Sequence, residues 1–142
     1  MKLSVTLLAA SLAVFSSGCV KDAFRSADRR IIGDWRIDDV NPVGWGGNSA
    51  RMPFNNGRFT FYDNGTLSYE NDNGQSFSGS WYINSRWQND EQELSLQITA
   101  VDFTNQRVLT QHYDDIFFRS RNYLRAETRT SNRTYITHFR RR

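Results

Sequence analysis

The amino-acid sequence predicts an all-β fold: a single antiparallel up-and-down β-barrel of about eight strands over residues 31–142, with no substantial helix. From Ile31 onward, apolar and polar residues alternate in short runs, which is the pattern of strands with one buried face. Turn sequences rich in Asn, Asp and Gly separate these runs. Such a series of short strands is expected to close, because closure removes the unpaired edges that promote aggregation.

The first predicted strand covers residues 31–40 and leads into an unusually long connection. Trp35 and Ile37 lie on the same side of this strand, opposite its charged residues. The connection, residues 41–57, contains both prolines and four of the nine glycines. Loops longer than about 15 residues are uncommon in compact domains and often carry function.

The other seven predicted strands follow with short connections. Asp63-Asn64-Gly65 is expected to form a hairpin turn, since Asn and Gly tolerate positive φ. A break or bulge is expected at Asp114-Asp115 within the sixth strand. The alternating segments lie near residues 58–62, 66–70, 77–83, 93–99, 107–118, 121–129 and 134–140.

The first 19 residues predict export and anchoring. Lys2 precedes an apolar stretch of 13 residues, Leu3–Phe15, which suits a secretory signal and is shorter than the roughly 20 residues of a membrane-spanning helix. The segment Ser16-Ser17-Gly18-Cys19 resembles the lipobox of bacterial lipoproteins. The resemblance implies removal of residues 1–18 and acylation of Cys19, with chains such as palmitate. Residues 19–30 would then tether the domain, residues 31–142, to a membrane.

Further along the chain, Gly33-Asp34-Trp35 resembles the Gly-x-Trp signature of lipocalins. Residues 59–69, Gly79-Ser80-Trp81 and residues 134–141 resemble the lipocalin-like domains of lipoproteins common in Bacteroidota. The resemblance covers residues 31–141 and implies an outer-membrane lipoprotein of the cell envelope.

In lipocalins, an arginine near the last strand packs over the signature tryptophan and closes the narrow end of the barrel. Arg140 is the best positional match for this arginine, and Arg125 is the second. Gly33, Trp35 and Arg140 are therefore the residues that the resemblance assigns to this closure.

Four apolar residues in polar segments are candidates for binding. Trp45, Met52 and Phe54 lie in the long connection, which the lipocalin-like picture places at the open end as a lid. The alternative is that they pack beneath the rim of the barrel. Trp87 lies in a later polar loop, where it would belong to the rim or contact a partner.

The sequence predicts neither an enzyme nor a bound cofactor. Asp38-Asp39 and Asp114-Asp115 are acidic pairs, but adjacent strand residues point to opposite faces and would not converge on one substrate. His112 and His138 lack the spacing of metal ligands. No catalytic residue and no metal ligand is therefore predicted, and nucleic acid is not an expected partner.

Positive charge is concentrated towards the end of the sequence. Residues 119–142 hold eight arginines and one glutamate, although the net charge of the whole chain is only +3. One interpretation is a basic stripe for an anionic partner. The other is pairing with acids on neighbouring strands, including Asp34 and Asp38. The stripe would consist of Arg119, Arg121, Arg125 and Arg129.

Two functions follow as expectations. The first is binding of a small apolar or amphipathic ligand in the mouth of a barrel anchored to the membrane through acylated Cys19. The second is binding of an envelope protein through an exposed surface. The segment Ser78–Tyr82 resembles the Ser-Gly-x-x-Tyr motif of lysozyme-inhibitor lipoproteins, although that family's Thr-Lys-Gly segment is missing. The inhibitor disulfide has no counterpart either, because Cys19 is the only cysteine.

Overall fold

The computed structural model describes residues 26–46 and 52–142, and within them the predicted all-β class is confirmed. A five-residue helix precedes nine strands. The predicted signal and Cys19 lie outside the described residues. The elements are α1 (Ala27–Ile31), β1 (Gly33–Pro42), β2 (Arg58–Phe61), β3 (Thr66–Glu70), β4 (Ser76–Gln88), β5 (Glu91–Asp102), β6 (Arg107–Tyr113), β7 (Asp115–Ser120), β8 (Tyr123–Arg129) and β9 (Thr134–Arg141).

The nine described strands form one antiparallel sheet in the order β6-β5-β4-β3-β2-β1-β9-β8-β7. The predicted sixth strand is divided at Asp114, which gives nine strands instead of about eight. Its first half pairs with β5 and its second half with β8. The hydrogen-bonded ladder is therefore open between β6 and β7, where the prediction had a closed barrel.

The two edge strands of this open sheet nevertheless follow each other in the chain, and Asp114 alone joins them. The Asp114 amide donates a hydrogen bond to the Glu127 carbonyl at 2.8 Å. The Gln111 side chain of β6 donates to the Thr128 hydroxyl of β8 at 2.9 Å in a buried position. These contacts hold the edges near each other, so the sheet curls around one core.

Aromatic side chains fill the inside of the curled sheet. The Phe59 ring stacks on Tyr69 at 4.6 Å and on Phe61 at 5.4 Å between ring centroids. Tyr113 meets Phe139 edge to face at 5.8 Å. Since each large apolar side chain contributes about 1.5–3 kcal/mol when buried, these rings account for much of the stability.

One end of the sheet is closed by Trp35 and Arg141. The Arg141 guanidinium lies over the Trp35 ring with its Cζ 4.5 Å from the ring centroid. It donates hydrogen bonds to the carbonyls of Ile32 at 2.7 Å and Arg121 at 3.1 Å, and also to that of Arg30. Burial, followed by the neighbouring Arg121 charge, lowers the pKa of Arg141.

The prediction that Arg140 closes this end was wrong, because the arginine over Trp35 is the next residue, Arg141. Arg140 faces outward and donates to the Asp38 carboxylate at 2.7 Å. Strand β9 buries Tyr135, Thr137 and Phe139, so the inward alternation continues to residue 141 and not to 140. Arg125, the second candidate, instead lies 3.0 Å from Glu127.

Gly33 is needed at this end because of Arg141. Its φ is +116°, which side chains rarely tolerate, and a Cβ there would lie 2.6 Å from the Arg141 guanidinium. The predicted signature thus brings together Gly33 and Trp35, with Arg141 in place of Arg140.

Helix α1 covers the same end. The Arg30 guanidinium lies 4.5 Å from the Phe118 ring centroid, and Trp35 donates through Nε1 to the Ile31 carbonyl at 2.6 Å. Residues 27–30, which were predicted as tether, therefore belong to the folded unit.

Replacing Arg141 by Gln is expected to lower the free energy of unfolding by about 3 kcal/mol, since a cation–π contact and charged hydrogen bonds are lost. Arg140→Gln removes the same charge from an exposed ion pair and should cost less than about 1 kcal/mol. Urea unfolding of both variants measures this. Equal losses would contradict the assignment of Arg141 as the closing residue.

Candidate functional site

The connection between β1 and β2 reaches the end of the sheet opposite Trp35, which we call the open end. Phe54 is fully buried and meets Tyr69 at 4.8 Å and Phe59 at 5.2 Å between ring centroids. Met52 is buried as well. Of the two predictions for this connection, lid or packing beneath the rim, the second therefore describes Phe54. Its ring closes the interior at the open end.

Trp45, from the same connection, behaves differently. Its side chain is fully exposed, and its carbonyl accepts a hydrogen bond from Arg133 at 3.1 Å. This bond holds the backbone of the connection against the turn between β8 and β9. Trp45 is therefore presented to solvent at the open end.

Trp87 does not join the other three candidates. It lies near the end of β4, in the long hairpin that β4 forms with β5, and is 71% exposed. Because consecutive connections alternate between the two ends of an antiparallel sheet, this hairpin lies at the closed end with α1. The predicted set of four residues is divided between opposite ends.

A cavity of about 490 Å³ lies at the open end. Its floor is formed by inward-facing side chains of the sheet, Tyr69, Phe77 and Leu109, and one wall is Met52. Its polar lining comes from the loop before β2, the β3–β4 turn and the start of β6. The polar residues are Asn55, Asn56, Asn71, Asn73, Gln75 and Arg107.

Carboxamide side chains hold this polar lining in place. Asn71 Oδ1 accepts from the backbone N–H of Gln75 at 2.9 Å, and Asn71 Nδ2 donates to Gln75 Oε1 at 2.8 Å. Asn56 Oδ1 accepts from the Asp72 amide at 3.1 Å, which ties the loop before β2 to the β3–β4 turn. The two segments thus form one rigid rim.

Tyr69 and Arg107 connect the rim to the core. The Tyr69 hydroxyl donates to the Asn56 carbonyl at 2.9 Å. Burial, with a smaller effect of the Asp72 charge, raises the pKa of Tyr69 to about 12, so the phenol stays a donor at neutral pH. The Arg107 guanidinium lies 3.4 Å from Gln75 Oε1 and 6.0 Å from the Phe77 ring centroid.

The sequence interpretation missed this rim, because residues 71–74 were only one of the Asn-, Asp- and Gly-rich turns between strands, and Asn55 and Asn56 were only part of the long connection. The available signal was the repetition of asparagines in two connections on the same end of the sheet.

Two hydroxyls inside the core, those of Tyr113 and Thr137, form no directed hydrogen bond with any described residue. Both side chains are fully buried. Burial raises the pKa of Tyr113, and the nearby Thr137 hydroxyl offsets part of that rise. Unpaired buried hydroxyls of this kind cost stability.

A second cavity, of about 400 Å³, lies on the outer face of β1 to β4. Four of its polar side chains bind one another. Thr60 donates to Asp34 at 2.6 Å, and Arg58 donates to Glu70 at 3.1 Å. Three serines and Arg142 also line it, and it lies on the outside of the sheet, away from the open end.

The acidic residues of the two pairs noted in the sequence lie close to basic partners. A register shift in β1 leaves both Asp38 and Asp39 exposed, so the expectation that they face opposite sides was wrong. Asp38 binds Arg140 at 2.7 Å, and Asp39 binds His138 at 2.6 Å. In residues 26–46 and 52–142, no group of three or more metal-ligating side chains converges.

Two of the four arginines of the predicted basic stripe have acidic neighbours. Arg125 and Arg129 lie 3.0 and 2.9 Å from Glu127, and Arg125 lies 4.0 Å from Asp115. Pairing with acids is thus observed for these two, although the acids are not the expected Asp34 and Asp38.

Comparisons with known proteins give no relative: no family model, no curated protein and no solved structure matches this chain. Within the described part of the chain, no helix is long and apolar enough to cross a membrane.

Phe54→Ala is expected to lower the free energy of unfolding by about 3–5 kcal/mol, because it leaves a cavity under the open end. Phe103→Ala is the matched control, since Phe103 is 79% exposed and should change stability by less than about 0.5 kcal/mol. Chemical denaturation measures both. Similar small losses would show that Phe54 is not a plug.

Tyr113→Phe is expected to raise the free energy of unfolding by about 1 kcal/mol, because it removes a buried hydroxyl whose contact with the Thr137 hydroxyl is not a well-directed hydrogen bond. Tyr69→Phe removes a hydroxyl that is hydrogen-bonded, so it should lower the value by about 1 kcal/mol. Opposite signs in urea unfolding support this account, and a loss in both variants contradicts it.

Proposed function

We propose that this chain is a bacterial lipoprotein of the cell envelope, anchored in the outer membrane by acylated Cys19, and that its lipocalin-like barrel binds an amphipathic ligand at the open end. The observation that carries the proposal is the polar cavity of about 490 Å³ above an aromatic core. The proposed ligand position is the mouth and not the interior, since Phe54 and the rings below it occupy the interior.

Three features support the barrel. The edges of the sheet are joined by the single residue Asp114, and the Gln111–Thr128 bond connects edge strand β6 to β8, the neighbour of edge strand β7. The contact of Arg141 with Trp35 resembles the closure of the narrow end in lipocalins. A kink in one strand would then interrupt the ladder of an otherwise continuous up-and-down barrel.

The position of α1 determines which end of the domain an anchor at Cys19 would hold near the membrane. Ser26, the residue before α1, is the seventh residue after Cys19, and an extended chain of that length spans at most about 25 Å. The closed end would therefore lie near the membrane, and the open end would face away from it.

A second candidate is binding of an envelope protein at the rim of the open end. Trp45 is fully exposed, and Phe103 is 79% and Val43 51% exposed at the same end. Exposed aromatic side chains are enriched in protein interfaces. Tyr82, from the segment resembling the lysozyme inhibitors, is also exposed, but on the outer face of β4.

Native mass spectrometry of the full chain, extracted from its host membrane in mild detergent, separates the two candidates. A small-molecule adduct that is lost in Arg107→Ala and kept in Trp45→Ala supports the ligand site. A stoichiometric protein that is lost only in Trp45→Ala supports the interface. An adduct unaffected by Arg107→Ala contradicts the proposed ligand position.

The anchor has its own test. Cys19→Ser is expected to abolish incorporation of labelled palmitate into the chain, since Cys19 is the only cysteine. Labelling of the wild-type chain with loss in the variant is the expected result. An unlabelled wild-type chain, or label retained in Cys19→Ser, would contradict acylation at this residue.

A further inference from the structure

The polar lining of the open-end cavity has an unusual composition. Of the described residues that line it, five carry carboxamides and one a guanidinium, whereas none of them carries a carboxylate. A carboxamide both donates and accepts hydrogen bonds. Such a lining matches a ligand whose own groups both donate and accept, which is the chemistry of hydroxyls.

Charged ligands fit this lining less well. A bound anion is usually met by several cationic groups, but among the described residues of the lining Arg107 is the only cationic side chain, and Gln75 Oε1 already lies 3.4 Å from it. A bound cation would need carboxylates, but Asp72 in the β3–β4 turn faces Arg36 at 3.8 Å, and Asp102, the ladder partner of Arg107, accepts from Asn105 at 2.6 Å. The described residues of the lining therefore carry little net charge.

Several donors on the rim take no part in the described hydrogen bonds. Asn71 and Asn56 use both their oxygens and nitrogens to hold the rim. By contrast, no described bond uses the side chain of Asn73 or the Nε2 of Gln75. Rigid neighbours and available amides together give a site that is already organised before binding.

An exposed aromatic side chain lies at the same end as these amides. Phe77, in the floor of the cavity, is almost fully buried, with the Arg107 guanidinium 6.0 Å from its ring centroid. Phe103, four residues before Arg107, exposes 79% of its surface at the same end. A sugar ring offers hydroxyls at its edge and C–H groups on its faces, so it suits amides next to aromatic rings.

We infer that the open-end cavity binds a neutral saccharide, with Asn73, Gln75 and Arg107 hydrogen-bonded to its hydroxyls. The inference rests on the proposed ligand site and narrows its ligand class. The apolar part of an amphipathic glycoconjugate would then extend past Phe103 and not into the aromatic core.

The test is an array of neutral and acidic oligosaccharides, probed with the full chain in a detergent without sugar groups. Binding to neutral oligosaccharides is expected, and titration calorimetry then gives affinities. Asn73→Ala and Arg107→Ala should each weaken binding about fivefold or more, the value of one hydrogen bond of about 1 kcal/mol. Gln88→Ala, an exposed amide at the closed end, is the matched control and should change nothing.

The inference is overturned if the array binds no neutral oligosaccharide, or if Asn73→Ala and Arg107→Ala bind as the wild type does. Binding of laurate or of a peptide that depends on the same residues would also overturn it. If one of these results is accompanied by an Arg107-dependent adduct in the native mass spectrum, the proposed ligand site still stands and only its assignment to a saccharide fails. The failure of the ligand class can thus be distinguished from the failure of the site.

Discussion

With no second cysteine, the fold depends on the aromatic packing inside its curled sheet. Phe59 lies at the centre of this packing, because its ring contacts those of Phe54, Phe61, Tyr69 and Phe139. The rings come from β2, β3, β9 and the connection before β2. Their contacts therefore hold together segments that are distant in sequence, and they leave the interior occupied.

An occupied interior places the available chemistry at the ends. At one end, Arg141 lies on Trp35 and binds three carbonyls, so its donors serve the fold. At the other end, Phe54 seals the core, and the asparagine rim above it lines a cavity. The difference between the closed end and the open end thus follows from which side chains form the last packed layer at each end.

Local alternation made much of the fold predictable. Every predicted strand is present, and the bulge expected at Asp114 occurs, because a period of two and turn residues such as Asn64-Gly65 are local signals. The break at Asp114 opens the hydrogen-bonded ladder between β6 and β7. That result was not predictable, since it depends on which neighbouring strand each half pairs with. Arg141 could have been predicted instead of Arg140 as the closing residue. Tyr135, Thr137 and Phe139 point inward, and alternation along the strand places residue 141 on the same side.

The candidate site was less predictable for a physical reason. Trp45, Met52 and Phe54 are close in sequence, yet one is in solvent, one lines the cavity and one is core. In an irregular connection no periodicity relates a side chain to a face, so only contacts across the fold decide its burial.

By itself, the sequence determined the strand pattern, the Gly33–Trp35 signature and the prediction of an anchor at Cys19, since each depends on residues adjacent in the chain. Only the tertiary structure decided that the interior is filled, that Trp87 lies at the end opposite Trp45, and that two asparagine segments form one rim. Those properties arise from contacts between segments far apart in sequence. Local patterns are compatible with several such arrangements, and packing in three dimensions selects one of them.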